Sequence, residues 1–204
     1  ETKRRQYLDT LCLEANRLSH LVENVLAYAR LERGSARSGV AKITLGELLE
    51  RVKPRLVQRA EQAGMTLVED AADGALQTVV HVDVPAVEQI LFNLVDNACK
   101  YGAPASTEKV IHLEALAEGQ CAMLRVRDHG RGISAAGAKR LFRPFGKSAH
   151  EAAQSAPGVG LGLALCRRLS RSLGGDLRLL ARAQGGACFE LRLPIGPHEQ
   201  TAAL

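Results

Sequence analysis

The stretch Asn93-Leu94-Val95-Asp96-Asn97-Ala98-Cys99-Lys100-Tyr101 gathers two amides, an ammonium and a phenol. On a helix at about 100° per residue, Asn93, Asn97, Lys100 and Tyr101 fall at about 0°, 40°, −20° and 80°. Val87, Leu91, Leu94, Val95 and Ala98 fill the arc from about 100° to 200°. Asn is locally unfavourable mid-helix because its side chain competes for backbone hydrogen bonds, so two on one face call for compensation. Amide oxygens coordinate hard cations such as Mg²⁺, and an ammonium complements phosphate. A solvated polar face is the other reading of the same pattern.

Two glycine-rich segments could complete such a site. Asp128-His129-Gly130-Arg131-Gly132-Ile133 follows a predicted strand. Its glycines permit positive φ and close approach of a ligand, and a carboxylate at a strand end accepts a hydrogen bond from an exocyclic amine such as that of adenine. An ordinary turn capped by Asp is the alternative. In Gly158-Val159-Gly160-Leu161-Gly162-Leu163, three glycines alternate just before a predicted helix, where free backbone N–H groups can meet phosphate oxygens. The dinucleotide-binding fingerprint would need Gly where Leu163 stands. The Gly146-Lys147-Ser148 run would be a P-loop only with Gly in place of Leu141. Spacing excludes both.

The positioning elements follow from periodicity. Leu8, Leu11, Ala15, Leu18, Val22, Val25 and Ala29 alternate by three and four along a segment free of Gly and Pro, the seam of a helical bundle. Tyr7, Leu21 and Leu26 widen the stripe, and it needs a partner in the parent protein or a second copy; packing on the following domain is the alternative. Thr44 is placed to cap a helix over 45–63, with Pro54 inside it. Strands are expected over 65–69, 77–83, 110–117, 121–128, 176–181 and 187–193. Pro85 opens a helix to about Tyr101, Ser134 caps a short helix over 134–142, and a last helix runs over 161–173. The expected fold is an α/β sandwich, a mixed sheet with helices on one face, preceded by one long N-terminal helix. The domain division is a helix over 1–34, a linker over 35–39, a domain over 40–197 and a tail over 198–204.

Composition narrows the classes. The chain has 204 residues, enough to form its own core without disulfide or metal. Net charge is +5, with Lys and Arg dispersed, and only four Phe, three Tyr and no Trp are present, which argues against a base-stacking nucleic-acid platform. The longest apolar run, Gly158 to Cys166, falls far short of the ~18 residues of a membrane span. Neither nucleic-acid binding nor membrane contact by this chain is expected. Five scattered cysteines, with no CxxC pair, suit a reduced compartment.

Taken together, the motifs resemble those of sensor histidine kinases. Asn93–Tyr101 is similar to the family's N box, Asp128–Ile133 to its first glycine box, Leu141-Phe142-Arg143-Pro144-Phe145 to its F box and Gly158–Leu163 to its second glycine box, in the family's order. Arg17-Leu18-Ser19-His20-Leu21-Val22-Glu23-Asn24-Val25-Leu26, continuing to Glu32, is similar to the second helix of the dimerisation and phosphoacceptor hairpin. The resemblance implies the Bergerat ATP-binding fold, with ATP and Mg²⁺ as cofactors. It implies that Asn97 ligates Mg²⁺, that Asn93 lies on the triphosphate side, that Lys100 meets phosphate and that Tyr101 packs near the nucleotide. By the same carry-over Asp128 binds the adenine amine, with Gly130, Gly132 and Ile133 shaping its pocket. Gly158, Gly160, Leu161 and Gly162 close on phosphates, Arg143 reaches the γ-phosphate, and 147–157 forms a lid. The catalytic set is Asn93, Lys100 and Arg143.

The acceptor is the departure. The family's phosphorylated His precedes an acidic residue on the first hairpin helix. Of the six histidines only His150 and His198 precede an acid, and they fall in the expected lid and the expected C-terminal tail. The chain therefore reads as a piece beginning between the two hairpin helices, cytoplasmic or the cytosolic part of a membrane-bound sensor. Its implied partners are a response regulator, the parent's acceptor hairpin and, in the parent, a second copy. An anti-sigma-type serine kinase of the same fold and a non-catalytic nucleotide-binding scaffold are the alternatives.

Overall fold

The computed structural model describes residues 22–29, 39–102, 108–144, 160–181 and 185–196, with isolated positions 4, 7, 8, 11, 15 and 18. The expected lid, Gly158, Phe145, the linker over 35–38 and the tail over 198–204 lie outside the described residues.

The first described segment, α1 (22–29), is helical, as are the isolated positions before it. Strand β1 (Ala41–Thr44) leads directly into α2 (Leu45–Gln62). Thr44 caps that helix reciprocally: its hydroxyl accepts from Glu47 N at 3.2 Å, and its own N–H donates to the Glu47 carboxylate at 2.9 Å. Pro54 does not break α2, because Pro54 and Glu50 both face solvent, where the carbonyl freed by the missing N–H meets water. Leu45, Leu48, Leu49, Val52, Leu56 and Ala60 line the opposite, buried side.

Strand β2 (Thr66–Ala71) is followed by a 3₁₀ turn and then β3 (Val79–Val82). The strand expected from residue 77 thus starts later, because Ala75–Gln77 coil inward to bury Ala75. Asp83 caps α3 (Val84–Asn97), accepting from Ala86 N at 3.2 Å, with Pro85 in the first turn. The helix then widens into a π turn over Ala98–Gly102. A hairpin of β4 (Val110–Glu118) and β5 (Cys121–Arg127), a short α4 (Ala135–Arg140), α5 (Gly162–Ser172), β6 (Asp176–Leu180) and β7 (Cys188–Pro194) complete the fold.

Two sheets result. β1 pairs antiparallel with β3, and a five-stranded sheet runs β2-β4-β5-β7-β6 with only the β2–β4 pair parallel. Alternation along the strands separates two faces. Ile111, Leu113, Ala115, Leu124, Val126, Phe189 and Leu191 join one core with the buried sides of α2, α3 and α5. On the other face Glu114, Arg125, Glu190 and Arg178 stand opposite one another across β4, β5, β7 and β6, alternating in sign. Arg125 Nε lies 2.8 Å from Glu190 Oε2, which explains how a carboxylate can be buried there.

The N-terminal seam is divided. Tyr7, Leu8, Leu11, Leu18, Val22, Val25 and Leu26 are exposed, whereas Ala27 and Tyr28 pack against the core of the domain. Docking on the following domain therefore does occur, but through the flank of the stripe and not through the stripe itself.

The Thr44–Glu47 box yields a pH-dependent prediction. The Thr44 backbone N–H, and then its hydroxyl, hold the Glu47 carboxyl below its ordinary range. A carboxylate depressed in the folded state stabilises at neutral pH, and that contribution fades as pH falls through the folded value. Thr44→Ala should cost about 1 kcal/mol in urea unfolding at pH 7. The gap from wild type should narrow in acid.

Candidate functional site

Asp128 sits at the end of β5, only 8% exposed. Its Oδ1 accepts from the backbone N–H groups of Gly130 at 2.8 Å and Ala187 at 3.1 Å. Its Oδ2 has no hydrogen-bond partner among the described residues. One oxygen is thus anchored and the other left to accept from a ligand.

Glycines make this position possible. A Cβ on Gly130 would stand 2.8 Å from Gly102 Cα and 3.0 Å from Asp128 Oδ1, and one on Gly102 would stand 3.0 Å from Asp128 Cβ. Behind them Gly186, with φ +74°, leaves room for the Asp128 carbonyl, which a Cβ would approach to 2.0 Å. The loop after β5 therefore meets both the end of the α3 π turn and the turn before β7. Gly102 and Gly186 were not singled out by sequence. Gly186 lies in the Gly185-Gly186 pair, an ordinary turn signal whose use appears only in three dimensions.

Along α3, Asn93 is buried and Asn97 half-buried, with no hydrogen bond from the Asn97 side chain to another described residue. Gly162, the first residue of α5, passes close enough that its Cβ would lie 3.4 Å from Asn93 Oδ1. Leu161 precedes it as a cap without a side-chain hydrogen bond, after Gly160 at φ +73°. The first N–H groups of α5 are consequently not satisfied by a capping side chain. The N box thus touches the second glycine box at Asn93 and the first at the Tyr101 carbonyl, with Gly102 just beyond it.

Other expected residues are placed differently. Lys100 is drawn to Asp96, which also accepts from Arg59 Nε at 2.9 Å. The uniform 100° spacing breaks down at the π turn, so Lys100 does not share a regular α-helical face with Asn93. Tyr101 lies in the same turn, 42% exposed, and its carbonyl borders Gly130. Ile133 is half-buried against the core. Arg143 is exposed in the turn after α4, and no described contact joins it to Asn93, Asn97 or Asp128.

No thiolate nucleophile stands ready here. Burial pushes the Cys166 thiol, which donates to the Ile90 carbonyl, up to about 12, and burial likewise pushes Cys99 up to about 11. Among the described residues no group of three or more His, Cys, Asp or Glu could hold a metal ion. A cation here needs oxygens from a ligand.

Residues 82–197 match the family of histidine kinase-, DNA gyrase B- and HSP90-like ATPases. The chain belongs to this family. It is 35% identical over 188 residues to the sensor protein KdpD of Escherichia coli, covering 90% of this chain and 19% of that protein. To the alginate biosynthesis sensor protein KinB of Pseudomonas aeruginosa it is 26% identical over 195 residues, 96% of this chain and 31% of KinB. The chain therefore spans a fifth to a third of these relatives' length. Among solved structures it resembles full-length ShkA in complex with AMPPNP, with TM-score 0.73, 28% identity, and 96% of this chain and 40% of ShkA covered. Acinetobacter baumannii histidine kinase AdeS shares the fold at TM-score 0.69 and 23% identity, with 93% and 84% covered. Among the described residues no helix is long and apolar enough to cross a membrane.

The glycine cradle can be tested through stability. Gly119→Ala, at φ +59° in open space, should cost about 1–2 kcal/mol in urea unfolding through left-handed strain alone. Gly186→Ala adds backbone overlap and should cost about 3–4 kcal/mol. Equal costs would mean that Asp128 is not crowded as described.

Proposed function

We propose that this chain is the ATP-binding catalytic part of a sensor histidine kinase, which transfers the γ-phosphate of ATP to a histidine on a hairpin helix of the parent protein for relay to a response regulator. The observation that carries the reading is Asp128. Its free carboxylate oxygen, at a glycine-lined loop packed on the end of the helix bearing Asn93 and Asn97, suits the exocyclic amine of adenine. Guanine carries a carbonyl oxygen at that position, and the carboxylate would repel it.

The remaining roles follow from position. Gly130, Gly132 and Ile133 shape the base pocket, and Tyr101 borders it. The N-terminus of α5, with Gly160, Leu161 and Gly162, faces the phosphates with unsatisfied N–H groups and the positive end of the helix dipole. The expected role of Gly158 is the same. Asn97 offers a hard amide oxygen with no other partner, which fits one ligand position of Mg²⁺ whose others come from phosphates and water. When bound, that ion supplies charge neutralisation of the triphosphate. Asn93 lies on the triphosphate side next to Gly162. Lys100 would have to leave Asp96 to reach a phosphate, and Arg143 would have to be carried inward by movement of the turn after α4. Phosphoryl transfer depends on positioning and charge, so a site lacking a nucleophile of its own is chemically sufficient. The acceptor hairpin, a second copy in the parent, and a receiver domain are the proposed partners, in the cytosol.

Titration calorimetry with ATP, ADP and GTP, each with and without Mg²⁺, tests the site. ATP and ADP should bind in the micromolar range with Mg²⁺ dependence, and GTP at least about tenfold more weakly, the worth of one lost hydrogen bond to a charged group. Asn97→Ala and Asp128→Ala should each abolish measurable binding; retention in both would refute the assignment. Labelled ATP separates the kinase from a scaffold. The chain alone should acquire no acid-labile phosphate, whereas an added acceptor hairpin should. Acid-stable phosphoserine on a partner would favour the serine-kinase alternative.

A further inference from the structure

The amide of Asn93 is already engaged from outside the domain. Asn24 of α1 donates through Nδ2 to Asn93 Oδ1 at 3.3 Å, and Asn93 Nδ2 donates back to Asn24 Oδ1 at 3.2 Å. The same Asn24 oxygen accepts from Gln89 Nε2 at 2.9 Å. Neighbouring residues hold the segment in place. Glu23 lies 3.6 Å from the Arg55 guanidinium on α2, and the guanidinium of Arg168 on α5 stacks over Tyr28 with its carbon 5.0 Å from the ring centre. Ala27 and Tyr28 pack on the core between these contacts. The segment thus reaches α2, α3 and α5 and meets α3 through the polar residue proposed for the triphosphate side.

We propose that segment 22–29 and the nucleotide compete for Asn93. This rests on the reading of Asn93 given under the proposed function. An amide offers two N–H donors and two oxygen lone pairs, and Asn24 occupies one of each on Asn93. With Asn93 only 5% exposed and Gly162 also beside its Oδ1, the docked segment covers the amide, and a phosphate oxygen or the hydration shell of its cation reaches it by displacing Asn24. The docked state therefore binds nucleotide more weakly, and apparent affinity scales with the fraction of molecules in which the segment is released. Linkage makes the effect reciprocal, so bound nucleotide loosens the segment by the same factor. The two amide hydrogen bonds to Asn93, taken at the weak end because water replaces them, set the coupling at about fivefold to tenfold.

The full chain tests this with Mg·ADP titrated into wild type, Asn24→Ala and Tyr28→Ala. Asn24→Ala removes the competitor from a helix that alanine favours, and Tyr28→Ala loosens the same segment without touching Asn93. Both should tighten ADP binding by about fivefold or more. In wild type, saturating Mg·ADP should speed amide hydrogen exchange over 22–29. If both variants bind ADP as wild type does, or more weakly, while Asn97→Ala still abolishes binding, competition is overturned and the nucleotide site stands. If no variant binds ADP at all, the site reading fails, and this inference with it.

Discussion

Asp128 can present a carboxylate oxygen to a ligand only because its neighbours carry hydrogen where other residues carry a Cβ. Gly102, Gly130 and Gly186 bring the end of α3, the loop after β5 and the turn before β7 to backbone contact around it. Close packing of this kind leaves few alternative arrangements, since a shift of a few tenths of an ångström in one segment is felt by the others. The two backbone hydrogen bonds to Oδ1 then set the orientation of the carboxylate. One of them comes from Ala187, so the strand register of β5 with β7 is part of the site. The Arg125–Glu190 pair on the outer face lies between the same two strands. Its main effect is on register, because a slip of one residue would set Glu190 against Leu124 or Val126 and leave both charges of the pair unmatched.

Around that fixed point the chemistry divides between a packed side and an open side. α3 and the Asp128 loop belong to the core, and their polar groups are already oriented. The start of α5 contributes N–H groups left without a capping side chain. The deep thiol of Cys166 beneath Asn93 is kept protonated by burial, so it adds volume and not reactivity. Such a site suits the proposed role, holding and neutralising a triphosphate while a partner supplies the attacking atom.

Much of this was legible in the sequence because the informative signals are local. Thr44, Pro85 and Ser134 mark helix starts through local chemistry, and all three helices begin there. The four motifs likewise occur in order at readable spacing. Long-range properties were not legible. The β1–β3 pair joins two four-residue strands separated by the whole of α2, and β2 finds its parallel partner β4 across α3. The Lys100–Asp96 pair was likewise hidden, because a helical wheel assumes a constant turn and the π turn after Asn97 departs from it. Gly186 looked like any glycine in a turn, since only the folded chain shows whose carbonyl it accommodates.

Helix α1 shows how far periodicity can be pressed. Measured from Asn24 at about 100° per residue, Val22, Val25, Leu26 and Ala29 fall between about 100° and 200°, whereas Ala27 and Tyr28 fall at about −60° and 40°. The apolar arc defines a seam, and the structure leaves Val22, Val25 and Leu26 of that seam exposed. The arc that docks is the one a hydrophobic pattern ignores, because its contacts are an amide pair, an ion pair and a ring under a guanidinium. Such polar contacts are individually weak and exchange readily with water. A seam that buries apolar area is suited to lasting assembly, and a polar flank is suited to release. Carrying both on one short helix would let the same element join the proposed bundle on one side while its other side touches the Asn93 amide.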